Sequence, residues 1–169
     1  MKNQGRAEDV RISNAAFTQT KIGEYTTMIL SSVGIASSIV AAEMGFVNKK
    51  GNKDNDIRIC LYICMLSSFL MCFSIMINYQ LLIKWQRSKN IIIETDNLIN
   101  TGLYKKMIVE CLCTLIHPFP WLMGITYSEE HMYGDTEETF ELNNMFICFM
   151  FFFRIYFYAR SLLSLSMYT

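Results

Sequence analysis

Two arginines, Arg154 and Arg160, lie inside the last apolar and aromatic segment of the chain. Ionisable groups inside a membrane-length apolar segment are energetically costly, and by default they indicate a functional site. Two acidic residues in or beside other apolar segments, Glu43 and Glu110, could neutralise the arginines. These four residues predict an intramembrane charge network.

A simpler interpretation exists for three of these four residues. Glu43 and Arg160 would lie near a membrane surface, where long side chains reach water, and Glu110 would lie at the cytosolic start of its helix. Arg154 differs, because a long apolar stretch precedes it in the sequence. We therefore expect Arg154 to contact a carboxylate or water inside a helical bundle.

The two arginines are six residues apart, which on a helix is a rotation of about 600° and places them roughly 120° apart. They do not form a single stripe. A strong voltage sensor carries several arginines on one helix and supplies about 3–4 gating charges per subunit. Two arginines predict a sensor-like helix without strong voltage dependence.

The motif His117-Pro118-Phe119-Pro120 interrupts the third apolar segment. Each proline lacks a backbone N–H and tends to kink or end a helix. We interpret His117, Pro118 and Pro120 as a helix-kink motif, with a proton relay or a ligand role for His117 as the alternative.

Other motifs of chemical interest are weak. The six cysteines lie mostly in apolar runs, where a thiol behaves as a small apolar group, and Cys111 and Cys113 lack the spacing of a zinc knuckle. The sequence contains no glycine-rich phosphate loop and no His-Glu-x-x-His motif. We therefore expect no enzyme activity, no catalytic residue, no cofactor and no metal site.

The elements that must position the charged residues follow from four stretches free of Asp, Glu, Lys and Arg. They cover residues 25–42, 59–83, 111–128 and 142–153. A bilayer core about 30 Å thick needs about 20 mostly apolar helical residues. The pattern predicts an all-α integral membrane four-helix bundle with helices at about 25–46, 58–84, 104–125 and 140–168.

The charges between these helices predict the topology. The chain has no net charge, without the basic excess of a nucleic-acid-binding protein. Residues 1–24 lack the apolar core of a signal peptide and are predicted to be a cytosolic tail, so that the membrane domain covers 25–169. Nine basic residues lie in the tail and the second loop, four lie in the first loop, and six acidic residues crowd the third loop. The positive-inside rule then places both termini in the cytosol.

The third and fourth segments resemble those of small-conductance calcium-activated potassium channels. The His-Pro-x-Pro motif at 117–120 is similar to a signature of that family's third helix. Residues 151–163 resemble its fourth helix, with the same spacing of two arginines, a tyrosine between them and an alanine before the second. Residues 77–83 resemble the end of its second helix, and Glu43 falls where the family carries a glutamate.

The resemblance covers residues 26–167 and implies a voltage-sensor-like domain of a tetrameric plasma-membrane channel. In that family two further helices and a Gly-Tyr-Gly loop form the pore, and a cytosolic helix binds calmodulin. The 169 residues contain no Gly-Tyr-Gly sequence, and Trp121 stands where the family has glycine. We therefore expect the chain to be the first four-helix part of a channel subunit, with the lipid bilayer as its direct partner and with calmodulin and the homotetramer as partners of the full channel. The alternatives are a four-helix membrane scaffold or assembly subunit, and a voltage- or proton-responsive module without a pore.

Overall fold

The computed structural model describes residues 2–47, 54–89, 91–93, 95–130 and 137–166. Within these ranges the chain forms four α-helices, one antiparallel pair of strands and a 3-10 turn at Pro120–Leu122. The elements are α1 (Lys2–Val47), α2 (Asp54–Ser88), α3 (Leu103–Leu115), β1 (Thr126–Glu130), β2 (Glu137–Glu141) and α4 (Leu142–Ser166). The prediction of a mostly helical chain with four helices is confirmed, and the strand pair corrects the all-α assignment.

Three of the helices are long and apolar enough to cross a bilayer, over Arg11–Phe46, Asp54–Ser88 and Leu142–Ser164. They identify a membrane protein. The predicted third spanning helix, at 104–125, is not among them, because α3 has 13 residues. At 1.5 Å per residue it is about 20 Å long, against a hydrocarbon core of about 30 Å.

From Lys2 onward the predicted tail is helical and continuous with the rest of α1, whereas its cytosolic location stays a prediction. The helix has 46 residues, and therefore a length of about 69 Å, roughly twice the bilayer core. No proline interrupts residues 2–47, and Thr18 and Thr20 return their hydroxyls to carbonyls four residues earlier. Part of α1 therefore extends beyond any membrane that its apolar half crosses.

The polarity of the bundle is that of a membrane protein. Large apolar side chains of α2 face outward, and they recur at helical spacing: Ile59, Tyr62, Leu66, Phe69, Phe73 and Ile77. Small polar side chains are buried in its interior, among them Ser31, Ser38, Ser68, Thr114 and Ser161. Small residues allow helices in lipid to approach closely, and the hydroxyls of Ser38, Ser68 and Thr114 donate to backbone carbonyls of their own helices.

The closest packing joins α1 and α2. Ser31, Gly34, Ser38 and Ala41 of α1 are buried at alternating spacings of three and four residues. A Cβ atom on Gly23 would lie 1.6 Å from the Asn78 side-chain oxygen. These small residues allow the two long helices to pack closely along this stretch.

The residues after α3 explain why that helix is short. The helix ends at Leu115, and Ile116 and Phe119 have extended backbone angles. A proline disfavours the α conformation of the residue before it, and Pro118 and Pro120 therefore impose an extended run. The motif ends the helix and does not kink a continuous one, which corrects the prediction. The two prolines also remove two backbone N–H groups from a stretch that would be costly to expose to lipid.

The strands place the start of α4. β1 pairs with β2 from Thr126 opposite Glu141 to Glu130 opposite Glu137. The Leu142 amide donates to the Ile125 carbonyl at 3.0 Å, which closes the base of the hairpin. Parts of the first and third predicted loops, at 48–53 and 131–136, and the last residues of the fourth predicted helix, at 167–168, lie outside the described residues.

Candidate functional site: two arginine sites on the fourth helix

Arg154 belongs to the buried stripe of α4, which includes Met150, Phe157 and Ser161. These residues recur every three or four positions, which places them on one helix face. Arg154 is 1% exposed and is the largest fully buried side chain in the described part of the chain. A positive charge therefore lies in the centre of the bundle.

The groups around this charge are neutral. The Nη1 atom of Arg154 donates to the Ser31 carbonyl oxygen of α1 at 3.0 Å, and Nη2 donates to the Ser68 hydroxyl of α2 at 2.5 Å. Among the described residues, no carboxylate lies within ion-pair distance of this guanidinium. The structure thus gives Arg154 no carboxylate partner among the described residues, whereas the water partner stays a prediction.

A glycine on α1 makes this arrangement possible. A Cβ atom on Gly34 would lie 1.8 Å from Nη1 of Arg154 and 2.5 Å from the Ser67 hydroxyl oxygen. The guanidinium therefore occupies the space that a side chain at residue 34 would need. We call Arg154, Ser31, Gly34, Ser67 and Ser68 the Arg154 pocket.

Arg160 occupies a different, charged environment. Its Nη1 atom donates to both carboxylate oxygens of Glu110 on α3, at 2.9 Å and 2.8 Å. Its Nε atom donates to Glu24 on α1 at 3.4 Å. The side chains of Arg160, Glu110 and Glu24 are 25%, 11% and 15% exposed, so that both ion pairs are largely shielded from solvent. Charge-assisted bonds of this kind are stronger than neutral ones.

Two tyrosines complete the shell of Glu110. The hydroxyls of Tyr79 on α2 and Tyr156 on α4 both donate to Oε1, at 2.9 Å and 3.0 Å. The Arg160 guanidinium carbon also lies 5.7 Å from the centroid of the Tyr79 ring, within cation–π range. This group of Arg160, Glu110, Glu24, Tyr79 and Tyr156, the Arg160 cluster, joins all four helices.

The predicted charge network is therefore rearranged in the structure. Glu110 and Arg160 meet directly, whereas Arg154 lies apart in its neutral pocket. Glu43 is exposed near the end of α1, and among the described residues it makes no ion pair.

His117 and the two prolines pack together beside α2. Pro118 and Pro120 are buried, and His117 is 1% exposed. The imidazole ring lies 4.2 Å from the Phe119 ring and 6.3 Å edge-on from the Phe69 ring. Neither ring nitrogen makes a hydrogen bond of full geometry with the described residues, although the ring interacts with the Leu115 backbone. The contacts of His117 are therefore those of a packing residue.

Several residues of the site were missed from the sequence. Glu24 was assigned to the tail, yet it lies seven residues before Ser31 and so on the same face of α1. That spacing is the signal that could have identified it. Ser31, Gly34 and Ser68 belong to stretches of small residues. Such stretches predict contacts between helices, but they do not indicate that an arginine binds there.

Comparisons with protein-family models, curated proteins and solved structures find no match for this chain. The functional interpretation therefore depends on the side chains themselves.

Proposed function

We propose that this chain is the voltage-sensor-like, four-helix part of a calcium-activated potassium channel subunit. The observation that carries the proposal is the position of the two α4 arginines, which are held by groups from all three other helices. The proposal also draws on the resemblance of the third and fourth segments to that channel family. The potassium pore and the calmodulin-binding helix would belong to other parts of the subunit, and four subunits would form the channel.

The two arginine sites favour a domain that responds weakly to voltage. Moving Arg160 along the field would break two bonds to Glu110 and one to Glu24. Moving Arg154 would take a fully buried guanidinium past Gly34, where α1 and α4 leave no spare room. Steep voltage dependence needs about 3–4 mobile charges per subunit, and this helix offers two that are tightly held.

A weakly responsive domain of this kind would act as a rigid anchor for the pore. Helix α4 would connect the bundle to the pore helices. Because α4 is held in place, calcium-driven movement would begin in the segment that follows it. The bonds from α4 to α1, α2 and α3 support this role, because they oppose sliding of α4 within the bundle.

Transcript sequencing and electrical recording test the proposal together. We expect the reading frame to continue beyond codon 169 into two apolar segments that flank a Gly-Tyr-Gly loop. The encoded protein should give a potassium current when calcium is applied to the inner face of an excised patch, with little dependence on voltage. A stop codon directly after Thr169 in confirmed transcripts, or a current that ignores calcium, would contradict the proposal.

A further inference from the structure

The end of the bundle between α2 and α3 carries a strong excess of positive charge. Residues 84–106 contain five basic residues and two acidic ones. The four lysines are exposed: Lys84, Lys89, Lys105 and Lys106. Arg87 has a structural role, because its Nη2 atom donates to the Asp96 carbonyl at 2.6 Å and fixes the loop to the end of α2. We call the four lysines the basic end.

Exposed isoleucines lie in the same segment as these lysines. Ile91, Ile93 and Ile99 are 64%, 71% and 71% exposed. Leu98, in contrast, packs against the buried cluster that contains Tyr79 and Phe157. Apolar side chains on a basic surface are the composition of a segment that lies in the headgroup region of a membrane, where apolar groups enter the acyl boundary and lysines remain in contact with headgroups.

Aromatic residues indicate the depth at which the basic end lies in a membrane. The Trp85 ring lies 5.7 Å from the Phe17 ring of α1, and the Lys89 ammonium lies 4.5 Å from the Trp85 ring centroid. Tryptophan is enriched at the membrane–water interface, where its ring lies at headgroup level. The lysines of the basic end therefore lie beside the phosphate layer if the apolar faces of α1 and α2 are in lipid.

From these three features we propose that the basic end binds the headgroups of anionic phospholipids. Clusters of four to eight basic residues next to a spanning helix attract anionic lipid, and here the neighbouring isoleucines supply an apolar anchor that the acyl region accepts. An acidic protein segment would satisfy the lysines but would leave Ile91, Ile93 and Ile99 exposed to water. The opposite end of the bundle has no such excess, since the six acidic residues between α3 and α4 outnumber the four basic residues at 49–58.

Tryptophan fluorescence tests the proposal in the full chain, because Trp85 and Trp121 are its two tryptophans. A Trp121→Phe variant in lipid nanodiscs leaves Trp85 as the reporter, and a Trp85→Phe variant leaves Trp121 as the matched control at the acidic end. Bromine on the acyl chains of phosphatidylserine or of phosphatidylcholine reports which lipid surrounds each ring. At equal mole fraction we expect brominated phosphatidylserine to quench Trp85 at least about twofold more than brominated phosphatidylcholine, and Trp121 to show no such preference.

The lysines are tested by a Lys84→Gln/Lys105→Gln/Lys106→Gln variant, which leaves Lys89 beside the reporter. It should lose the preference, whereas Arg58→Gln, at the other end of α2, should keep it. Native mass spectrometry of the detergent-released protein should rank the variants in the same way. The Arg58→Gln variant should retain more phosphatidylserine molecules than the variant without the three lysines. Equal quenching and equal retention of both lipids, or a preference that survives removal of the three lysines, would overturn the proposal. Retention of an acidic peptide in place of phosphatidylserine would also overturn it.

Discussion

The guanidinium of Arg154 fills the space left by the missing side chain of Gly34, since a Cβ atom at residue 34 would lie 1.8 Å from Nη1. Two helices that are more than a hundred residues apart in sequence are thus fitted to each other at one point. The glycine lies mid-helix, where glycine is about 1 kcal/mol less favourable than alanine. Its role is therefore to admit the arginine.

The first prediction concerns Gly34→Ala. The added methyl would displace the guanidinium from the Ser31 carbonyl and the Ser68 hydroxyl, and hydrogen bonds to charged groups are worth about 1.5–3 kcal/mol each. We expect a loss of about 3 kcal/mol or more in the free energy of unfolding. The measurement is thermal unfolding in detergent. Gly45→Ala is the matched control on the same helix, because nothing lies within 4 Å of its added methyl, and it should be neutral or stabilising.

A double variant shows whether the arginine causes this loss. Arg154→Ala removes the guanidinium atoms with which the new methyl collides and leaves only the Ser67 hydroxyl, which can rotate away, among its close contacts. Gly34→Ala should therefore cost much less in an Arg154→Ala background. Strongly non-additive stability changes are expected for residues in direct contact. Additive changes would show that Gly34 serves some other packing need.

The presence of four helices followed from the charge-free stretches, because a membrane-length apolar run has few alternatives to a helix in lipid, but the bounds of α1 and α3 did not. The partners of the arginines did not follow. Glu24 lies just before such a stretch and was assigned to the tail on composition, whereas α1 continues through it. Arg154 was expected to contact a carboxylate or water because a buried charge needs compensation. No carboxylate contacts it among the described residues, and a backbone carbonyl and a serine hydroxyl accept the bonds of Nη1 and Nη2.

The second prediction compares Arg154→Met with Arg160→Met. The first change removes a costly buried charge and leaves the Ser68 hydroxyl bonded to the Cys64 carbonyl. We expect its stability to change by no more than about 1 kcal/mol, in line with replacement of buried charges by apolar groups. The second change leaves Glu110 and Glu24 without their cation, which should destabilise by about 3 kcal/mol.

Chemical unfolding in mixed micelles gives both values under one set of conditions. A larger loss for Arg154→Met than for Arg160→Met would contradict this ranking. It would indicate that the neutral pocket depends on its charge more than the ion-paired cluster does.

The third prediction concerns the two tyrosines on Glu110. Tyr79 is buried at 4% exposure, whereas Tyr156 is half-exposed, so that water can replace the second hydroxyl but not the first. Tyr79→Phe should therefore destabilise by about 1.5–3 kcal/mol, and Tyr156→Phe by clearly less. In an Arg160→Met background each Tyr→Phe change should lower the free energy of unfolding by more than it does alone, because the two hydroxyls become the remaining donors to Oε1 of Glu110. Equal losses for the two single variants would argue against burial as the reason.

The fourth prediction concerns His117→Phe. Neither ring nitrogen of His117 makes a hydrogen bond of full geometry with the described residues, and its ring packs against Phe119 and Phe69. A phenyl ring keeps these contacts and removes two buried polar atoms, and we therefore expect equal or higher stability. His117→Ala, which deletes the ring, should destabilise by about 2 kcal/mol or more. A marked loss in His117→Phe would point to a water or ion at the nitrogens, in keeping with a relay role.

The third segment is where prediction from the sequence was least accurate. Its apolar length favoured one spanning helix at 104–125, but the helix ends at Leu115, and the two prolines lie in a non-helical run at 116–119 and a 3-10 turn at Pro120–Leu122. Extended backbone at membrane depth is tolerated where protein covers it, and His117, Pro118 and Pro120 are buried. Hydropathy does not distinguish a helix from such a covered strand-like run.

The last prediction is the topology, which depends on whether this mixed segment crosses the membrane. Beyond Lys106, which lies at the basic end, α3 continues for about 14 Å, and residues 116–119 with the 3-10 turn after them add about 19 Å. Together they match a core of about 30 Å, so that we expect four crossings and both termini on the cytosolic side. Epitope tags at the two termini should need membrane permeabilisation for antibody access, and a tag between β1 and β2 should not. Termini on opposite sides would mean three crossings and would leave α3 and its prolines at the surface.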